Sequence, residues 1–349
     1  MPENSTADGT AIVARNLIKV YPGRGRKPGV RALDGLGFEV PAGRVFGLLG
    51  PNGAGKSTTT KILTTLSRPT SGSALVAGHD VATDPGAVRA AIGYVSQGAS
   101  TDPLLTAREN LEIAARLRGV AAGDARRGAI RLLDEFGLAD AARRPVGKFS
   151  GGMRRRLDVA AALVHRPRVL FLDEPTTGLD PEARATMWAE IRRLAGEEAL
   201  TVVLTTHYME EADRLADELL LVNRGRAVVQ GTPDELKAAL HGDSVRVSLV
   251  EPDPATVRAA IGRVPGLRDV VIEASGVDGV LAARTEDASA AVGAVIAALD
   301  AAGVRFGQVA ASHPTLDDVY LHFVGHTFGP STGSGTGDST DALRTGAAA

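Results

Sequence analysis

Gly50-Pro51-Asn52-Gly53-Ala54-Gly55-Lys56-Ser57 is the stretch from which the rest of the chain can be read. It fits G-x-x-x-x-G-K-[ST], a loop that cradles phosphate groups. Its neighbours fit as well: Val45-Phe46-Gly47-Leu48-Leu49 reads as a buried strand and Ser57 to Leu66 as a helix. Glycines let successive backbone N–H groups turn inward as an anion nest. The helix start adds unpaired N–H donors and the positive end of its dipole. In such a loop Lys56 reaches the β- and γ-phosphates and Ser57 ligates Mg²⁺. The chain has 349 residues, 41 of them Gly and 6 Lys. At those frequencies roughly 0.01 accidental matches are expected. By itself the loop says that the chain binds a nucleotide.

Val169-Leu170-Phe171-Leu172 is a continuous apolar run, the pattern of a strand covered on both faces of a parallel sheet. Asp173-Glu174 stands at its carboxyl end, where ligands bind in open α/β sheets. Asp173 is placed to hold Mg²⁺ together with Ser57. Glu174 is placed to polarise or deprotonate an attacking water. Three single residues fit around this pair. Gln97 ends a short apolar strand (Ile92 to Ser96) and is either an ordinary loop amide or a ligand to metal and water. His207 ends the strand Thr201 to Thr205 and either serves structure or hydrogen-bonds the γ-phosphate. Tyr21 ends the first strand, Ala11 to Tyr21, and either packs in the core or stacks on adenine.

The length suggests two domains. Hydrophobic residues make up 44% of the chain, enough for sizeable cores, and the net charge of −2 offers no basic field for nucleic acid. There are no cysteines, which excludes disulfides and thiolate chemistry and fits a cytosolic protein. The polar N-terminus has no signal-peptide core, and no apolar run is long enough to span a membrane.

Residues 1–10 read as disordered, and Pro22 to Pro28 as a Gly/Pro/Arg loop. A nucleotide-binding domain is expected over 11–241. Within it, residues of about 100–165 carry helical periodicity (Leu111, Ile113, Ala114, Leu117, then Ile130, Leu132, Leu133, Phe136), an inserted helical subdomain. Residues 244–326 follow the order β-α-β-β-α-β of a small α+β, ferredoxin-like unit, with a final helix from Thr315 to Phe323. The Gly/Ser/Thr-rich stretch 327–349 reads as a disordered tail.

In order the chain shows Tyr21, Gly50 to Ser57, Gln97, Ser150-Gly151-Gly152, Asp173-Glu174, Gly178-Leu179-Asp180 and His207. This series resembles the ATP-binding cassette (ABC) ATPases over residues 11 to about 240. The resemblance implies an α/β P-loop NTPase cassette, a mixed sheet core with an inserted helical subdomain. It implies ATP and Mg²⁺ as cofactors. ATP is then bound by Tyr21, Gly50, Pro51, Asn52, Gly53, Ala54, Gly55, Lys56, Ser57 and Thr58. The metal is held by Ser57, Gln97 and Asp173, and Glu174, His207 and Gln97 serve hydrolysis. Ser150-Gly151-Gly152 is similar to the family signature, which caps the γ-phosphate of ATP held by the opposite subunit. Met153 stands where the commonest signature has Gln. The resemblance further implies a head-to-tail homodimer with Asp180 communicating across it. A finer likeness, to the daunorubicin/doxorubicin-resistance ATP-binding subunits, rests on Ser150 to Leu157, Glu174-Pro-Thr-Thr-Gly-Leu-Asp180 and Leu316-Asp-Asp-Val-Tyr-Leu321 with Gly325-His326.

The expected function is therefore ATP hydrolysis that powers a drug or antibiotic exporter. The chain would sit at the cytoplasmic face of the membrane on a separate permease, touched by residues near 98–110. The rival is a soluble ABC-type ATPase acting on DNA or ribosomes. A single cassette without a long heptad insertion or basic arm argues against it, and no nucleic-acid partner is expected. Three consecutive residues cannot share one helix face, so some of Arg154-Arg155-Arg156 are read as solvated or paired with nearby acids, and the run is not read as a nucleic-acid patch.

Overall fold

The computed structural model describes residues 9–23, 29–98, 100–197, 200–240, 242–275 and 277–324. The expected terminal disorder and most of the loop at Pro22 to Pro28 lie outside those residues, as do Gly325-His326. The first elements are β1 (Thr10–Tyr21), β2 (Val30–Pro41), β3 (Val45–Leu49), α1 (Lys56–Leu63), β4 (Ser71–Val76), β5 (His79–Asp80), α2 (Pro85–Ala91) and β6 (Ile92–Val95). Helices α3 (Ala107–Leu117), α4 (Ala122–Glu135) and α5 (Gly151–Leu163) follow. Then come β7 (Val169–Asp173), α6 (Pro181–Glu197), β8 (Thr201–Thr206), α7 (Met209–Leu215), β9 (Glu218–Asn223), β10 (Arg226–Gly231) and α8 (Pro233–Ala238).

The unbroken apolar runs become the centre of a six-stranded sheet of order β10-β9-β3-β8-β7-β6. Every residue of β3, β7 and β8 is buried, because both faces are covered, one by helices that include α5 and α6 and the other by α1 together with strands β1, β2 and β4. Strands β9, β3, β8, β7 and β6 run parallel, and β10 closes one edge antiparallel to β9. The sheet is thus mixed, as expected. Its register sets Leu49 beside Thr206, Thr205 beside Asp173 and Leu172 beside Val95. Four adjacent strands therefore release the chain at one edge. An antiparallel sheet of order β2-β1-β4-β5 packs alongside, and the Phe38 and Phe46 rings stack between the two sheets at 5.7 Å.

The helical insertion forms where periodicity places it. Thr106 and Glu109 make a reciprocal capping box that starts α3. Leu111, Leu132, Leu133 and Phe136 turn inward, onto a core shared with Leu157, Leu172 and Leu204. Ile113, Leu117 and Ile130 face outward.

Downstream lie β11 (Asp243–Val250), α9 (Pro254–Ile261), β12 (Arg268–Ser275), β13 (Asp278–Thr285), α10 (Ala288–Ala301) and β14 (Phe306–Ser312). They form an antiparallel sheet of order β12-β13-β11-β14. Val247, Leu281, Val257, Ile261, Val295 and Leu299 make its own core with α9 and α10. The last helix, α11 (Leu316–Val324), belongs to a different core. Leu316, Val319 and Tyr320 bury against Met209 and Ala212 of α7, Leu236 of α8 and Leu49 of β3. Polar bonds hold the other side of α11: Ser244 Oγ and Arg246 Nη2 both donate to Asp318 Oδ1, at 3.0 and 3.1 Å. The helix thus joins the third sheet to the flank of the first.

Candidate active site

The loop after β3 turns at Gly53 and Gly55, with φ +82° and +113°. A side chain at Gly55 would be strained by that φ, and its Cβ would meet Ala32 O and Leu33 Cδ2, each at 2.8 Å. The loop therefore lies tight against β2. Lys56 is the first residue of α1 and is buried. Its ammonium donates to Gly50 O at 2.6 Å and Pro51 O at 3.1 Å. Burial pulls its pKa below the ordinary lysine value, against the opposing pull of the Glu174 and Asp173 carboxylates. Ser57 is exposed beside it, and Thr58 is half-buried.

β7 and β8 supply the acidic side. Asp173 is buried and accepts a 2.5 Å hydrogen bond from Thr205 Oγ1 on its Oδ1. Glu174 follows at φ +48°, a left-handed conformation that costs a bulky residue energy and clusters at functional sites. Its backbone N–H donates to Thr205 O at 3.1 Å, which helps to hold the bend. Its carboxylate collects three neighbours: Gln97 Nε2 donates to Oε2 at 3.1 Å, Thr177 Oγ1 to Oε2 at 3.2 Å, and His207 Nδ1 lies 3.1 Å from Oε1. Residues as far apart in sequence as Gln97 and His207 meet here because β6, β7 and β8 are neighbours ending at the same edge.

The remaining candidates lie elsewhere in the fold. Ser150 is the N-cap of α5, its Oγ accepting from Met153 N at 3.2 Å. Gly151 and Gly152 open that helix against the start of α6. A Cβ on Gly152 would stand 2.8 Å from Ala183 Cβ. Asp180 accepts from Ala183 N at 2.8 Å, so it caps α6. Tyr21 is 37% exposed, with Lys19 Nζ 5.0 Å from its ring centre. It is not a core residue. Among the described residues no hydrogen bond or ion pair joins Tyr21, Ser150, Gly151, Gly152 or Asp180 to the cluster around Glu174. Thr205 and Thr177 belong to that cluster and the sequence reading did not single them out. Thr205 carried a usable signal, since it stands near the end of a buried strand, two residues before His207.

The fold separates the three residues of the Arg154 to Arg156 run, as it must for consecutive positions on one helix: Arg154 and Arg156 are half-buried. Arg155 is buried, and its guanidinium bonds to backbone carbonyls instead of to acids.

Comparison with known proteins accords with this geometry. Residues 33–177 match the family model described as ABC transporter. The chain is 47% identical over 295 residues to the daunorubicin resistance ATP-binding protein DrrA3 of Streptomyces coeruleorubidus, covering 84% of this chain and 92% of that one. The chain belongs to the ABC transporter family. It is also 44% identical over 317 residues to the daunorubicin/doxorubicin resistance ATP-binding protein DrrA of Streptomyces peucetius, across 90% and 93% of the two chains. The dimeric ATP-binding cassette MJ0796 bound to ADP and Pi superposes with a TM-score of 0.57 at 26% identity, over 63% of this chain and 98% of that one. The cassette described here is an ATPase. Among the described residues no helix is long and apolar enough to cross a membrane.

Proposed function

We propose that this ATPase powers a membrane exporter of a drug or antibiotic, as a nucleotide-sandwich homodimer on a separate integral-membrane permease at the cytoplasmic face. The observation that carries the chemistry is the convergence of Gln97, His207 and Thr177 on the strained Glu174, at the same sheet edge as Lys56. Relatives named for daunorubicin resistance and for Nod factor export favour the exporter over an ATPase acting on DNA or ribosomes.

In this reading the loop Gly50 to Thr58 binds the phosphates of ATP, with Tyr21 beside the adenine. Ser57 hydroxyl, Asp173 carboxylate and Gln97 amide oxygen form a set of hard oxygen donors suited to Mg²⁺. Thr205 supports the set by holding Asp173. When bound there, Mg²⁺ would supply positive charge to offset that of the phosphate oxygens. Lys56 leaves the loop carbonyls for the phosphates, whose charge offsets the cost of burying its own. Glu174 takes the proton of the attacking water on its carboxylate, while Gln97 and His207 fix that group's orientation. Ser150, Gly151 and Gly152 offer the N-terminal donors of α5 to the ATP of the other subunit, and Asp180 lies at the same interface.

We assign residues 11–241 to the cassette, with its helical subdomain at about 100–165, and residues 244–326 to an accessory unit. The sheet order β12-β13-β11-β14 supports a ferredoxin-like reading of that unit. It regulates or stabilises the dimer or the permease. Permease contact falls near residues 98–110, where Leu104 is 85% exposed. The test is ATPase activity of the purified chain, alone and with its candidate permease in lipid, across amphipathic drugs. Stimulation by permease and drug is expected. Activity indifferent to any permease and raised by ribosomes or DNA would overturn the exporter reading.

A further inference from the structure

The roles above leave Arg154-Arg155-Arg156 without a function, and the fold treats the three differently. Arg154 and Arg156 are half-buried, and Arg156 Nη1 donates to Phe136 O at 3.0 Å. Arg155 is only 8% exposed. It lies on the buried stripe of α5 with Asp158, Val159 and Ala162, at the i, i+3, i+4, i+7 spacing of one helix face. Its guanidinium reaches two separate segments. Nη1 donates to Ser96 O at 2.7 Å, Nε to Pro175 O at 2.9 Å, and Nη2 to Asp173 O and Glu174 O at 3.1 and 3.3 Å. Ser96 immediately precedes Gln97. Asp173 to Pro175 is the bend centred on Glu174.

Three consecutive carbonyls facing one side of a bend bring the negative ends of their dipoles together. A planar, permanently charged fork answers all of them at once and also fixes the angle between them. The same side chain springs from the helix whose first turn is Gly151-Gly152, one turn ahead of Arg155. A shift of α5 along its axis thus pulls on the backbone beneath Glu174 and Gln97 together. Arg154 and Arg156 have no such reach.

We propose that Arg155 is a positioning residue that couples the signature's grip on the other subunit's ATP to the placement of Glu174 and Gln97 in its own site. The proposal rests on the roles assigned above to Glu174 and to Ser150-Gly151-Gly152. Arg155 touches no reacting atom and acts through the backbone of the residues that do.

The test uses the full-length protein with Arg155→Lys, Arg155→Gln and, as a control, Arg154→Lys. Lys keeps the charge but presents its donors from a single nitrogen and cannot span both segments. Arg155→Lys is expected to lower kcat about 10- to 100-fold, the scale of a slightly misplaced catalytic group, with the KM for ATP within about threefold and the protein still fully folded at the assay temperature. Arg154→Lys retains kcat within about twofold. In single-turnover measurements, Arg155→Lys added to Glu174→Gln causes no further loss, because the two act as a unit. Wild-type kcat in Arg155→Lys would overturn the proposal. So would losses that multiply in the double variant, or a kcat loss that merely follows a fall in stability or ATP affinity. If Arg155→Gln does not fold, the Lys variant decides. Normal turnover by Glu174→Gln alone would refute the base assignment instead, and the Arg155→Lys rate, read with Glu174 intact, keeps the two failures apart.

Discussion

Replacing Glu174 by Gln changes one atom at the centre of the candidate site and little else. The new side chain has the same volume and can keep the left-handed backbone at φ +48°. It can still accept from Gln97 Nε2 or Thr177 Oγ1, which now lie 3.1 and 3.2 Å from Oε2. It can also face His207 Nδ1, now 3.1 Å from Oε1, after a change of imidazole tautomer. What it cannot do is take a proton. General-base catalysis contributes about 10²- to 10⁴-fold, which corresponds to about 2.7–5.4 kcal/mol of barrier. Steady-state hydrolysis should therefore fall by that factor, while equilibrium binding of Mg-ATP, which depends on Lys56 and the loop, changes less than about threefold. On the nucleotide-sandwich reading proposed above, in which bound ATP joins the two subunits until it is hydrolysed, size-exclusion chromatography with Mg-ATP should show the variant held as a dimer. A Glu174→Gln protein that turns over at more than about a third of the wild-type rate would refute the reasoning, because a base worth at least 10²-fold cannot be so dispensable.

Lys56→Ala should weaken nucleotide binding itself, by about tenfold or more, because it removes a charge-assisted partner of the phosphates; isothermal titration would show it, and unaltered affinity would move the phosphate site elsewhere. Thr205→Val deletes the hydroxyl bonded to the buried Asp173 and should cost about 1–3 kcal/mol, read in urea unfolding, together with a raised Mg²⁺ requirement for hydrolysis. Gly152→Ala forces α5 and α6 apart at the 2.8 Å approach to Ala183 Cβ and should destabilise the chain by about 1–3 kcal/mol; a fully stable variant would mean that the two helices yield freely. Asp317, half-buried on α11, has its pKa raised by burial above the ordinary aspartate value. The folded state therefore holds that proton more tightly than the unfolded one, and ionisation costs stability that returns as pH falls through the folded pKa. Asp317→Asn should accordingly raise the melting temperature near neutral pH and lose that gain in acid, a difference visible in thermal scans across the range.

The position of α11 bears on how the C-terminal region can be studied. Tyr320, Val319 and Leu316 complete a core that includes Leu49, the last residue before the phosphate loop. Removing everything after residue 243 would strip that core along with the third sheet. A truncation ending before β11 therefore tests cassette stability as much as it tests the accessory unit. Substitutions on the surface of α9 or α10 separate the two effects.

Local chemistry made much of this protein legible from its residues alone. Short apolar runs with β-branched and aromatic residues, bounded by turn signals, read as strands covered on both faces, so β3 and β7, and β8 with its Val-Val-Leu centre, were readable. A glycine-rich loop ending in Lys-Ser between such a strand and a helix marked the candidate phosphate site. Carboxylates just past a buried strand marked its acidic partner. The alternation of strand and helix after residue 243 announced a third sheet, because each period is imposed within a few residues.

Tertiary structure decided what depends on which elements become neighbours. Gln97 and His207 lie 110 positions apart in sequence, and strand order alone brings both to Glu174. Thr205 became the partner of Asp173 through register. The amphipathic pattern of α11 declared a buried face but not its host, which proved to be the flank of the first sheet and not the core of the third. Three identical arginines were indistinguishable as letters. The angular position of each on α5 sent one inward to the carbonyls around the active site and left the others nearer the surface. Spacing along the chain specifies periodicity, but partners are set by packing, in which a residue meets whatever the fold brings to its face.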